Sequence, residues 1–130
     1  MKKTVRSLGH SLEGLVHALK TERNLRCFVI GHCGILAIGF GLRIDLFSLL
    51  LLTIFAGLFI AVELLNTAIE RLADTIDDCE KTRNSGHYHL GIKQTKDVAA
   101  AGSLITLILY AITTLLILTP YILTRFPITR

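Results

Sequence analysis

From Leu46 to Val62 the chain carries no charged side chain, and its helical pattern continues after the charges return. Leu, Ile and Phe fill the run, which goes on as Glu63-Leu64-Leu65-Asn66-Thr67-Ala68-Ile69-Glu70-Arg71-Leu72-Ala73-Asp74 with no glycine or proline to stop it. A bilayer core takes about 20 residues of helix to cross. Val98 to Leu123 is again free of Asp, Glu, Lys and Arg. Cys27 to Leu42 is a third such stretch, shorter, and extending its helix back through Leu25 gives it the needed length. Spans at about 25–42, 46–66 and 98–120 therefore predict an all-α membrane protein, one integral-membrane domain over residues 1–130. Composition agrees: charged residues are 18% of the chain, against about 25% in a soluble domain.

The segments between the spans have their own patterns. Val5, Leu8, Leu12, Leu15, Val16 and Leu19 recur at helical spacing, predicting an amphipathic helix over 4–20 that lies in the membrane surface, apolar side down. Arg43, Ile44 and Asp45 form a tight connection between the first two spans. The 71–96 segment holds Asp77, Asp78, Glu80, Lys81, Arg83, Asn84, Ser85 and Gly86 and reads as a solvent-facing loop. Basic residues crowd the N-terminal segment and the 71–96 loop, whereas the other side holds only Arg43, Arg125 and Arg130. The positive-inside rule then places the N-terminus and the 71–96 loop in the cytoplasm.

Several function classes drop out. There is no G-x-x-x-x-G-K-[ST] or G-x-G-x-x-G loop, so any nucleotide is held without either phosphate cradle. The net charge of +4 sits beside membrane segments, where anionic lipid and not nucleic acid accounts for it. Cys27, Cys33 and Cys79 form neither a metal spacing nor a disulfide framework, and Cys27 and Cys33, in an apolar stretch, read as small hydrophobes. His32, inside the first span, reads as a hydrogen-bonded packing residue before a ligand.

Glu63 is the informative residue, because a carboxylate at the edge of an apolar run is costly and marks function. Glu63, Asn66 and Glu70 stand at i, i+3 and i+7, on one helix face, and Asp74 continues it. A carboxylate at the bilayer boundary can take a proton from an alcohol. Carboxylates further along can hold Mg²⁺, a hard ion that takes oxygen ligands and bridges nucleotide phosphates. The ladder thus suits a reaction between a lipid and a soluble charged substrate. The bland alternative is a polar seam that packs helices in an oligomer. A carboxylate relay in a transport subunit would want ionisable groups at mid-membrane, whereas Glu63 sits at the cytoplasmic end and the other spans lack charged partners at mid-depth. Glu22, in Thr21-Glu22-Arg23-Asn24, could complete a metal site beside Glu70, and Lys96-Asp97 precedes the third span, where a lysine can neutralise phosphate oxygens.

The helix Glu63-Leu64-Leu65-Asn66-Thr67-Ala68-Ile69-Glu70 with Asp74, then Lys96-Asp97-Val98-Ala99-Ala100, together with Glu13-Gly14-Leu15 and Thr21-Glu22-Arg23-Asn24, resembles the signature of the prokaryotic diacylglycerol kinase family. The likeness covers roughly residues 5–118 in order. It implies a homotrimer of three-span subunits in the bacterial cytoplasmic membrane, with active sites shared between neighbours. The implied reaction is transfer of the γ-phosphate of ATP, with Mg²⁺, to a lipid hydroxyl, giving phosphatidic acid when the lipid is diacylglycerol. On matching positions, Glu63 would be the catalytic base and Asn66 its support. Glu22 and Glu70 would hold the metal that binds ATP, and His10, Tyr88, His89, Lys96 and Asp97 would contact the nucleotide. Ser11 and Ala100 would meet the lipid beside Glu63, and Asp74 matches an acidic position. The chain departs from the enterobacterial form by extra residues within 75–86 and by His10, Phe28 and His87. Thr21-Glu22-Arg23-Asn24 and Glu63-Leu64-Leu65-Asn66-Thr67 look like the Gram-positive branch, which includes undecaprenol kinases.

Overall fold

A computed structural model describes residues 2–83 and 90–125. Four helices follow one another: α1 (Lys2–Thr21), α2 (Arg23–Gly41), α3 (Leu46–Arg83) and α4 (Leu90–Arg125). Among the described residues there are no strands. Three helices, α2, α3 and α4, are long and apolar enough to cross a membrane. The protein is therefore an all-α, multi-pass membrane protein.

The boundaries have local causes. Helix α1 stops at Glu22, whose backbone is extended at φ −93°, ψ 110° before α2 begins. Arg26 donates back to the Lys20 carbonyl and so caps one of the orphan acceptors at the end of α1. Helix α2 ends in a reversed turn: Ile44 N–H donates to Gly39 O and Arg43 N–H to Phe40 O. That pairing is a Schellman motif, which needs a left-handed residue, here Arg43 at φ 57°. Asp45 then caps α3 by accepting the Ser48 N–H at 2.9 Å.

The polar segment corrects the expectation of a loop over 71–96. Helix α3 runs on to Arg83 and α4 starts at Leu90, so most of that segment is helical. The reason is local propensity. Glu, Lys, Arg, Leu and Ala are good helix formers, and no glycine or proline interrupts the chain until Gly86. Low hydropathy ended the span without ending the helix. Lys96 and Asp97 accordingly sit within α4 and not ahead of a helix.

Helices α3 and α4 form an antiparallel hairpin that is the spine of the molecule. In lipid no hydrophobic effect drives helices together, so close packing and polar contacts must hold them. Near the α2–α3 turn, Ile44, Leu49 and Leu52 are buried against Leu36, Ile117 and Tyr121. Gly39 lets Leu49 pack closely there: a Cβ would lie 2.6 Å from Leu49 Cδ2 and make that side chain shift. Mid-helix, Phe28 packs on Phe59 and Tyr110, and His32 Nδ1 lies 2.9 Å from the Tyr110 hydroxyl. His32 is thus the hydrogen-bonded packing residue the sequence indicated. The apolar side of α1, with Val5, Leu8, Leu12 and Val16, is exposed, and Cys27, Cys33 and Cys79 are free thiols.

Candidate functional site

The i, i+3, i+7 ladder on α3 forms one face, and α4 closes on it at two heights. Higher up, the Ser103 hydroxyl donates to Glu63 Oε2. Lower down, Lys96 Nζ lies 2.7 Å from Asp74 Oδ1. Between them Asn66 Nδ2 donates to Glu70 Oε1 at 3.0 Å. Each pair follows from register. Lys96 and Ser103 are seven residues apart on α4, and their partners Asp74 and Glu63 are eleven apart on α3, so each set shares a helix face.

Asn66 is 9% exposed, and its Oδ1 is buried with no hydrogen-bond partner among the described residues. A buried amide oxygen left so costs about 1–3 kcal/mol. Glu63 and Glu70 are half-buried. Among the described residues the face therefore sets one unpartnered amide oxygen between two half-buried carboxylates.

Glu22 enters from the α1–α2 corner. Its Oε1 accepts from Arg71 at 2.7 Å, and the same guanidinium donates to Thr21 Oγ1. Arg71 follows Glu70 in sequence, so this ion pair pins the corner to the ladder helix at the height of Glu70. It also explains why Glu22, at the N-cap position of α2, makes no side-chain cap.

The other expected residues are distributed less closely. Ser11 lines a groove of about 510 Å³ between α1 and α3 with Ala18, Leu64, Thr67, Ala68 and Arg71. Its hydroxyl donates to Ser7 O in its own helix. His10 is exposed on α1, 3.6 Å from Glu13. Asp97 and Ala100 are exposed on α4. Tyr88, His89 and His87 lie outside the described residues, as do 84–86 of the extra stretch.

Two site residues escaped sequence reasoning: Ser103, which bonds Glu63, and Arg71, which bonds Glu22. Both had a signal. Ser103 is the polar residue ending the small-residue run Ala99-Ala100-Ala101-Gly102, and Arg71 is the cation beside a ladder carboxylate. Neither signal says which partner is met, because the partners lie 40 and 49 residues away.

The donor set bears on a metal. Among the described residues no three His, Cys, Asp or Glu side chains converge into a metal-holding group. Mg²⁺ is commonly bound through one or two carboxylates, with substrate phosphates and water supplying the rest. Glu22, Glu70 and the unpartnered Asn66 Oδ1 are hard oxygen donors of that kind.

Comparison with known proteins places this arrangement. The family described as prokaryotic diacylglycerol kinase matches residues 9–118. The undecaprenol kinase of Bacillus subtilis (strain 168) is 30% identical over 115 residues, covering 88% of this chain and 87% of that protein. The matched stretch takes in α2, the whole Glu63–Asp74 ladder and the Lys96–Ser103 face that closes on it. With three membrane-length helices and a polar ladder at their end, the chain belongs to the prokaryotic diacylglycerol kinase family of membrane lipid kinases.

Proposed function

We propose that the protein transfers the γ-phosphate of ATP to the hydroxyl of a membrane lipid, with Glu63 as the base. The supporting observation is the Glu63 carboxylate at the edge of the apolar part of α3, one oxygen engaged by Ser103, with the Asn66–Glu70 pair next along the same face. In the reaction the lipid oxygen forms a bond to the γ-phosphorus as the bond from phosphorus to the ADP oxygen breaks. The lipid proton passes to Glu63, and ADP carries away the electron pair of the broken bond. Asn66 keeps the ladder ordered through its bond to Glu70. Glu22 and Glu70, with Asn66 Oδ1, would hold Mg²⁺, which neutralises phosphate charge when bound. Arg71 holds Glu22 in position for this. His10, Tyr88, His89, Lys96 and Asp97 are proposed for the nucleotide, and Ser11 and Ala100 for the lipid.

Diacylglycerol, giving phosphatidic acid, is one acceptor consistent with the family. Undecaprenol is the second, and the named relative supports it. Both present a hydroxyl at the interface, where Glu63 stands. The basic N-terminal segment and the 71–96 segment support a cytoplasmic face for the site in a bacterial cytoplasmic membrane. A homotrimer with shared sites is proposed on the family resemblance. The apolar windows of α2 and α4 are each only 11% buried by this chain, which leaves ample surface for neighbouring copies and lipid.

The test uses the purified protein in mixed micelles with labelled Mg·ATP, and diacylglycerol and undecaprenol in parallel tubes. Labelled phosphatidic acid names the first acceptor, and labelled undecaprenyl phosphate the second. No product in either tube, with the protein folded, overturns the kinase reading.

A further inference from the structure

We infer that Ser103 is a positioning residue for Glu63, holding one carboxylate oxygen so that the other is presented to the acceptor hydroxyl. The inference rests on the proposed role of Glu63 as base. Hydroxyls on α4 have a default partner, the carbonyl three or four residues back in their own helix. Thr95, Thr106, Thr113, Thr114 and Thr124 all take it. Ser103 does not: its Oγ crosses to α3 and donates to Glu63 Oε2.

The surroundings make this crossing possible and durable. Ser103 is 6% exposed, so water does not compete well for its proton. Gly102, just before it, faces α3 at close range: a Cβ there would stand in van der Waals contact with Val62 Cγ1, at 3.8 Å. Gly102 and Val62 each directly precede a member of the pair, so the close approach seats serine beside glutamate. A half-buried glutamate, with three rotatable side-chain bonds, has several rotamers. A hydrogen bond to one oxygen removes most of them and fixes where the second oxygen stands. Placement of this kind contributes to the chemical step, since a misplaced reacting group costs rate even when binding is intact.

The residue acts through Glu63, and its test separates that from packing. Ser103→Thr and Ser103→Val have nearly the same shape, and only the first keeps the hydroxyl. The expected result is that Ser103→Thr stays within about twofold of the parent in kcat, while Ser103→Val falls roughly tenfold with the KM values for lipid and Mg·ATP unchanged. In a Glu63→Asp background the shorter side chain no longer meets Ser103, so adding Ser103→Val should change kcat less than about twofold. Equal rates for the Thr and Val variants, or the same tenfold loss in both backgrounds, would overturn the role of Ser103. A Glu63→Gln protein transferring phosphate at the parent rate would overturn the base assignment on which it rests. With Glu63→Gln inactive and Ser103→Val unimpaired, only the Ser103 proposal fails.

Discussion

The two ends of the apolar part of α3 treat their polar groups in opposite ways. At the α2–α3 turn, Asp45 is saturated: Ser48 N–H and Oγ and the Tyr121 hydroxyl all donate to it, at 2.7–2.9 Å. Those bonds, the Ser48 hydroxyl first, hold its carboxyl down to about 2. Every donor has a structural task, capping α3 or tying α4 to the turn. At the other end, Asn66 Oδ1 is buried without a partner among the described residues, and Glu63 accepts a hydrogen bond from Ser103. A saturated carboxylate builds the fold. A carboxylate held by one oxygen beside a buried amide oxygen is what the proposed transfer reaction would use.

Substitutions at the two ends should therefore separate activity from stability. The largest effect belongs to Glu63→Gln, which should lower kcat by about 10²–10⁴-fold with helicity and assembly retained, as read by labelled transfer and circular dichroism in the same micelles. Loss of assembly with the rate per folded protein intact would instead make the ladder a packing seam. Next is Glu70→Gln, which should raise the Mg²⁺ concentration for half-maximal rate roughly tenfold or more, measured by Mg²⁺ titration at fixed ATP. An unchanged Mg²⁺ requirement would remove Glu70 from the metal site.

At the turn end the readout is stability alone. The Asp45 carboxyl is depressed from its ordinary 3.8 to about 2. Its contribution is therefore complete above about pH 4 and is lost as pH falls through 2. Asp45→Asn should flatten that part of the pH dependence of thermal unfolding while leaving transfer at neutral pH unaffected. The smallest effect is Arg43→Gly, which relieves a left-handed backbone and should stabilise the protein by about 1 kcal/mol, seen as a higher melting temperature. A change in kcat from either turn-end variant would show that the two ends are coupled and blunt the contrast.

Much of this was legible from the residues in order. The three apolar runs, the break near Glu22 and the tight turn at Arg43–Asp45 are local features, and the structure has helices and corners at each. The face shared by Glu63, Asn66 and Glu70 follows from helical geometry alone. The 71–96 segment misled because charge was read as loop, whereas a charged run of good helix formers extends a helix into water.

What sequence determined by itself is therefore whatever a residue's near neighbours settle: helix, turn, span length, and which side chains share a face. The tertiary structure alone decided the partners. Ser103 reaching Glu63, Arg71 holding Glu22 and Lys96 meeting Asp74 each join residues 22–49 positions apart. Such pairings depend on which face α4 turns to α3 and on how closely the two helices pack beside Gly102 and Val62. That register is set by packing along the whole hairpin, and no single stretch of sequence states it.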